Sequence, residues 1–281
     1  MKLMRCQHGP AVLRDGEAVL FSEINAKRGA SLPDSLLALI QGGSMDALHD
    51  LRGIGGLPLP EVTPLLPYPV PPKIWCIGLN YKSHAEDINA VQPEEPGSFM
   101  KPASCLFEPG GNIVLPPADV SDDVDAEGEL GVVIGRRCRF VPREYVHEVI
   151  FGYTTTLDLT ALDVLARNTR YLTRAKSIDT FFSFGPMIVT PDEVPDVEGL
   201  EVVTEHNNGV CSRDFVRNMR HKPLDLVRFH TNFFTLEPGD LISTGCPKGA
   251  RIKAGDSVRS RIDGVGLLTA HVTQGQRVPL Y

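Results

Sequence analysis

Two glutamates, Glu127 and Glu129, enter an apolar run that reads Asp125-Ala-Glu-Gly-Glu-Leu-Gly-Val-Val-Ile-Gly135. Leu130, Val132 and Ile134 recur at period 2, the spacing of one face of a strand. Glu127 and Glu129 therefore share the other face with Gly131 and Val133. Two carboxylates so placed repel one another if they are buried without a counter-charge. A divalent cation is the simplest counter-charge, and all-oxygen ligands select a hard one such as Mg²⁺, Mn²⁺ or Ca²⁺. An isolated Glu-x-Glu more often marks a strand whose mouth is open to water, with both glutamates solvated. A third acid tips the balance: Asp158, in the Thr- and Tyr-rich, β-prone segment Gly152-Tyr-Thr-Thr-Thr-Leu-Asp158-Leu-Thr. Glu127, Glu129 and Asp158, on two strands, make a candidate metal site.

These strands sit in a chain whose pattern is mainly β with a few helices. Residues 1–57 read as a small leading α+β domain. Its β-like pieces Ala11–Leu13 and Ala18–Phe21 flank the Asp15-Gly16 turn, and a leucine-rich helical piece follows around Leu36–Leu48. Seven of the fifteen residues from Pro58 to Pro72 are proline, which reads as an extended linker and places the domain boundary there. The catalytic domain then spans 73–281. It opens on a buried strand, Lys73–Gly78, which leads into a short helix near Asn80 and Ser83 that carries His84, Glu86 and Asp87. Residues 91–102 have loop composition, so a lid is expected from about 84 to 100. A helix is expected over Pro142–Ile150, a strand over Phe184–Thr190, and a hairpin about Asn207-Asn208-Gly209. Pro223–Phe234 is amphipathic and helical by pattern.

Composition sets the outer limits. The 281 residues are ample for a sizeable core, and the net charge of −7 without a basic run argues against nucleic acid as a partner. The six cysteines form no Cys-x-x-Cys pair, which suits reduced thiols in a cytoplasmic protein. The first residues lack the apolar core of a signal peptide, and no apolar run is long enough to span a bilayer.

The order of motifs resembles the fumarylacetoacetate hydrolase family. The matching pieces are Gly78-Leu-Asn-Tyr-x-x-His84, Met100-Lys-Pro102, Glu127-x-Glu-Leu-x-Val-Val-Ile-Gly135 and Gly152-Tyr153 leading to Asp158-x-Thr-Ala161. They continue with Ala175-Lys-Ser177, Gly185-Pro186, Leu236-x-Pro-Gly-Asp240 and Ser243-Thr-Gly-Cys-Pro-Lys-Gly249, and cover about 70 to 272 in the family's order. The resemblance implies an α+β fold built on a mixed β-sandwich roll of the fumarylacetoacetase C-terminal type, a homodimer, and one divalent metal, Mg²⁺ or Mn²⁺, on Glu127, Glu129 and Asp158. It implies hydrolysis of a carbon–carbon bond in a 1,3-dicarbonyl acid of the acylpyruvate or fumarylpyruvate type. His84 takes the place of the family's base. Its orienting acid is Asp87, which shares its helix face, with Glu86 as the substitute if the segment is not helical. Lys176 occupies the family's lysine position. Asn80, Tyr81, Lys101, Thr244 and Gly245 fall where substrate contacts are expected.

The chain departs from the family pattern in two places. After Thr160-Ala161, where family hydrolases carry an arginine and then a glutamine, it has Leu162 and Leu165. Each charge-assisted bond lost there is worth roughly 1.5–3 kcal/mol, so Arg167, Arg170 or Arg174 substitutes, the substrate differs, or the site is weakened. The usual Thr-Gly-Thr is Thr244-Gly-Cys246, with Cys246 read as a small replacement and not as a nucleophile. Two other functions stay open. One is a metal-dependent β-keto acid decarboxylase or enol–keto isomerase, acting for example on oxaloacetate; the other is a non-catalytic metal-binding protein.

Overall fold

The computed structural model describes residues 1–87 and 90–276, apart from the side chain of Asp87. The strand expected over 125–135 forms over Val124–Ile134 and is buried throughout. It runs antiparallel to Ile150–Ala161 along almost its whole length. Alternation gives each strand two faces with different duties. Ala126, Leu130 and Val132 from one strand and Leu157, Leu159 and Ala161 from the other turn towards a second sheet. The opposite face carries Glu127 and Glu129 beside Thr156, Asp158 and Thr160.

The two strands lie inside a 13-stranded sheet. From the Ile150–Ala161 side it continues through Met187–Val189, Lys2–Cys6, Gly9–Arg14, Glu17–Leu20 and Leu57–Pro58; from the other side through Leu241–Ser243, Ile74–Gly78 and Gly97–Lys101. The second sheet has five strands in the order Gly209–Phe215, Glu201–His206, Ser257–Ile262, Gly266–Gln274, Asn112–Leu115. Val258, Leu268, Ala270 and Val272 of this sheet fill the layer between the two. Gly128 lies at the closest approach. A Cβ there would stand 2.8 Å from Thr204 Oγ1 and 3.1 Å from Ser260 Oγ, and the Gly128 amide donates to Thr204 Oγ1 at 3.1 Å. The mainly β, α+β expectation is met by these two sheets.

The first 57 residues extend the large sheet. Lys2–Cys6 pairs antiparallel with Met187–Val189, opposing Leu3 to Ile188. Leu3, Val12, Val19, Phe21, Leu36 and Leu39 share one core with Phe184, Ile188 and Leu241. The proline-rich stretch is packed: Pro64–Leu65 pairs with Lys2–Cys6, Leu66 and Tyr68 are buried, and Tyr68 Oη donates to the Gly239 carbonyl at 2.9 Å.

Several elements differ from their expected form. The leucine-rich helix is a short α-helix, Leu36–Ile40, and a 3₁₀ turn, Asp46–Leu48, separated by Gly42-Gly43. Residues Arg143–Val149 are 3₁₀ and not α-helical. The strand over 184–190 is two strands, Phe182–Phe184 and Met187–Val189, broken at the cis Gly185-Pro186 bond. The expected hairpin turns at Asn207 and Asn208, which take left-handed φ values of 48° and 66°. The amphipathic helix forms over Pro223–Thr231.

Candidate metal centre and active site

Strand register brings the three acids together. Asp158 is the direct cross-strand partner of Glu127, and Thr156 is the partner of Glu129. Like charges directly opposite one another destabilise a sheet, so this pairing needs a cation. Carboxylate oxygens of Glu127, Glu129 and Asp158 lie within 4.8 Å of one another, and all three residues are buried.

Two lysines supply part of the charge. Lys176 Nζ donates to Glu127 Oε2 at 2.8 Å and to Asp158 Oδ2 at 3.0 Å. Lys101 Nζ donates to Asp158 Oδ1 at 2.5 Å and to the Leu159 carbonyl at 3.1 Å. Hydroxyls and one amide fix the other oxygens. Thr160 Oγ1 donates to Glu127 Oε1 at 2.8 Å, Ser243 Oγ to Glu129 Oε2 at 2.5 Å, and the Gly245 amide to that same oxygen at 2.8 Å. Gly245 can aim its amide there because its φ of 95° lies in the region that glycine adopts without strain. A Cβ at Gly245 would also press on Asn80 Cβ at 2.9 Å.

The electrostatics shows what is missing. Burial, then the Asp158 and Glu127 charges, push the Glu129 carboxyl up to about 8. For Glu127 burial pulls in the same direction, but Lys176, His84 and the bond from Thr160 outweigh it and hold the carboxyl below its ordinary value. Burial would lower Lys176, yet Asp158 and Glu127 keep it well above the usual lysine range. Without a further cation the cluster therefore keeps a proton on Glu129 at neutral pH. Three buried carboxylates with only oxygen donors fit a hard divalent ion. With such an ion, three negative charges face two lysines and a +2 cation, which leaves +1 to receive an anionic substrate.

A cavity of about 430 Å³ opens beside this centre. Its lining combines Glu127, Glu129, Thr160, Lys176, His84, Cys246, Ser98 and Thr169 with the apolar Leu79, Pro93, Phe99, Leu162, Leu165 and Leu172, and Lys176 Nζ lies 5.0 Å from the Phe99 ring. His84 stands on the helix Lys82–Asp87, half-buried, with its Nδ1 buried and without a hydrogen-bond partner among the described residues. Ring nitrogen, Glu127 oxygen and Cys246 sulfur lie within 4.8 Å of one another. Glu86 faces outward and pairs with Lys82 at 3.4 Å, and the side chain of Asp87, the expected partner of His84, lies outside the described part.

Of the residues expected to touch substrate, none lines the cavity. Asn80 is buried and clamps backbone, donating to the carbonyls of His221 and Thr244 at 2.9 and 2.8 Å and accepting from the His221 amide at 2.8 Å. Tyr81 is fully buried. Thr244 donates to the Leu130 carbonyl at 2.8 Å. Gly245 and Lys101 donate to the carboxylates of Glu129 and Asp158. Arg167, Arg170 and Arg174 are exposed, and Arg167 pairs with Asp163 at 2.7 Å, so none replaces the polar anchors lost at Leu162 and Leu165. Cys246 does have a histidine neighbour in space, but burial and the charges of Glu127 and Glu129 hold its thiol well above the ordinary range, which disfavours a nucleophilic thiolate. Sequence reasoning missed Thr156, Thr160 and Ser243. The first two were signalled by the Thr-x-Asp-x-Thr alternation around Asp158.

Comparison with known proteins agrees with this architecture. Residues 73–273 match the family model described as fumarylacetoacetate (FAA) hydrolase C-terminal. A mitochondrial oxaloacetate tautomerase of Bos taurus is 36% identical over 251 residues, covering 85% of this chain and 79% of its own. The crystal structure of maleylpyruvate hydrolase from Sphingobium sp. SYK-6, in complex with manganese(II) and pyruvate, is 32% identical with a TM-score of 0.81, over 98% of this chain and 100% of that one. A 5-carboxymethyl-2-hydroxymuconate delta-isomerase from Mycobacterium smegmatis is 30% identical with a TM-score of 0.76, over 99% and 100%. These relatives are enzymes named for small keto acids or their enols, and one of them holds a divalent metal. With two-thirds of its length matched and the acid cluster in place, the chain belongs to the fumarylacetoacetate hydrolase family.

Proposed function

We propose that the protein is a divalent-metal-dependent hydrolase that cleaves a carbon–carbon bond in a 2,4-dioxo acid. The observation that carries this reading is the imidazole of His84 at the edge of the three-carboxylate cluster, within 4.8 Å of Glu127 and open to the same cavity. Mg²⁺ or Mn²⁺ held by Glu127, Glu129 and Asp158 would supply the positive charge that a chelating dicarbonyl and a developing enolate require. Lys176, beside Glu127 and Asp158 on the cavity lining, adds a second positive charge that would attract the substrate carboxylate. His84 takes a proton from water as the water oxygen attacks the distal carbonyl carbon. The bond from that carbon to the neighbouring methylene breaks, and its electron pair passes into the enolate of the 2-oxo acid. The imidazolium then returns the proton to that methylene carbon, so a carboxylic acid and a 2-oxo acid leave.

Enol–keto isomerisation or decarboxylation of a β-keto acid is the second reading. It is favoured by the leucines at 162 and 165 and by the similarity to oxaloacetate tautomerases. Product analysis separates the two. With Mn²⁺ or Mg²⁺ and acylpyruvates, fumarylpyruvate or oxaloacetate, hydrolysis yields a carboxylic acid and pyruvate in equal amounts. Loss of enol absorbance without either product means isomerisation, and release of CO₂ means decarboxylation. Absence of cleavage products across the series would refute the hydrolase assignment.

A further inference from the structure

We infer that the chain carries a second metal site, softer in character than the three-acid centre, in which His84, Cys246 and Glu127 take Zn²⁺. A ring nitrogen of His84, the Cys246 sulfur and a Glu127 oxygen lie within 4.8 Å of one another. Topology brings the first two there. Ile74–Gly78 and Leu241–Ser243 are adjacent parallel strands, so their C-terminal ends open on the same edge of the sheet. The first leads into the helix Lys82–Asp87 that bears His84. The second leads to Cys246 through Thr244 and Gly245, whose amide donates to Glu129 at 2.8 Å.

The donor set decides which ion fits. Mg²⁺, Mn²⁺ and Ca²⁺ prefer oxygen throughout, whereas one nitrogen, one sulfur and one carboxylate oxygen suit tetrahedral Zn²⁺. With Zn–N and Zn–O lengths of about 2.0–2.2 Å and Zn–S of about 2.3 Å, such ligands stand roughly 3.3–3.7 Å apart. Each pair therefore has to close by about 1.5 Å at most. The imidazole is free to do so. It is half-buried on a six-residue helix, and its Nδ1 has no hydrogen-bond partner among the described residues. All three side chains line the cavity, which leaves the fourth position facing it. On binding, a Zn–S bond replaces the S–H bond of Cys246 and the proton leaves to solvent.

The two metal sites share Glu127 and so compete. With Zn²⁺ in place, three ionised carboxylates and a thiolate face Lys101, Lys176 and the ion, four charges of each sign. No net negative charge then remains to draw a second dication. Zn²⁺ would also occupy the imidazole that the proposed hydrolysis uses as its base; that consequence rests on the proposed function, whereas the site does not.

Co²⁺ added to chelator-treated protein reports the thiolate directly, through a sulfur-to-cobalt charge-transfer band in the near ultraviolet. One equivalent should produce the band in wild type, and Zn²⁺ should abolish it. The band should persist in Glu129→Gln, which weakens the three-acid centre alone, and vanish in Cys246→Ser. By calorimetry, Cys246→Ser and His84→Ala should each weaken Zn²⁺ by about 100-fold or more and leave Mn²⁺ within a few-fold of wild type. Zn²⁺-loaded wild type should bind Mn²⁺ about tenfold more weakly or worse. Absence of the band from wild type overturns the inference without recourse to any variant. A band that survives in Cys246→Ser, which puts the ion on another thiol, overturns it too, as does an Mn²⁺ affinity that Zn²⁺ leaves unchanged. Failure to cleave any dioxo acid, with band and affinities as expected, sinks the hydrolase reading and leaves the Zn²⁺ site standing.

Discussion

Glu129 gives the most direct test of a buried cation site. Burial and two neighbouring carboxylates raise its carboxyl from an ordinary 4.5 to about 8. Between roughly those two pH values the folded, cation-free protein holds a proton that the unfolded chain has lost. A proton bound in the folded state alone makes stability fall as pH rises, by about 1.4 kcal/mol per pH unit while the difference lasts. The contribution is complete below about pH 4.5 and is lost by about pH 8, on the order of 5 kcal/mol in all. A cation needs the carboxylate, so it competes with that proton, and its apparent dissociation constant should worsen about tenfold per pH unit below about pH 8. Glu129→Gln imitates the protonated form in shape and charge. Chelator-treated variant should lose most of the stability slope and be the more stable protein at about pH 9, while binding Mn²⁺ far more weakly than wild type. Denaturant unfolding and Mn²⁺ calorimetry at about pH 6, 7, 8 and 9 would show both effects. A wild-type Mn²⁺ affinity that is flat from pH 6 to 8 would refute the reasoning, as would a variant that keeps the wild-type stability slope.

Other residues give sharper yes-or-no outcomes. His84→Ala should abolish hydrolysis and leave Mn²⁺ affinity within a few-fold of wild type by calorimetry; loss of the metal instead would make His84 a ligand and not a base. Asp158→Ala should lose the cation and also about 3–5 kcal/mol of stability in denaturant melts, because Lys101 and Lys176 would remain buried without their shared carboxylate. Gly128→Ala should cost about 2 kcal/mol, since its Cβ would press on Thr204 and Ser260 where the sheets meet; a melting temperature equal to wild type would contradict the close approach. Hydrogen exchange across residues 84–100 should slow when ligand binds, because Ala90, Pro93 and Phe99 wall the cavity. Equal protection with and without ligand would argue against a lid.

The acid cluster was legible because strand alternation is local: a period of 2 in 125–135 and the Thr-x-Asp-x-Thr pattern around Asp158 both survive in the structure. Long-range neighbours were not legible. Nothing adjacent in sequence ties Lys101 to Asp158 or Ser243 to Glu129, pairs separated by 57 and 114 residues. For the same reason the first 57 residues, locally a small α+β unit, gave no sign that Lys2–Cys6 would add to the large sheet beside Met187–Val189. Helix form was misread where tertiary packing overrode pattern, as in the 3₁₀ stretch Arg143–Val149. Asn80 and Tyr81 illustrate a different limit. Their place in a motif suggested substrate contact, but a motif does not say whether a side chain faces the cavity or braces its wall.

The two lysines explain why a cluster of three acids can exist in a folded chain before any metal arrives. One acid protonated and two paired with buried ammonium groups leave no large net charge in the interior, so the strands can close around the site. A divalent ion held by Glu127, Glu129 and Asp158, as proposed, would have to displace that proton and would leave the centre with one positive charge in excess. That excess favours one anionic group, which the carboxylate of a 2-oxo acid supplies.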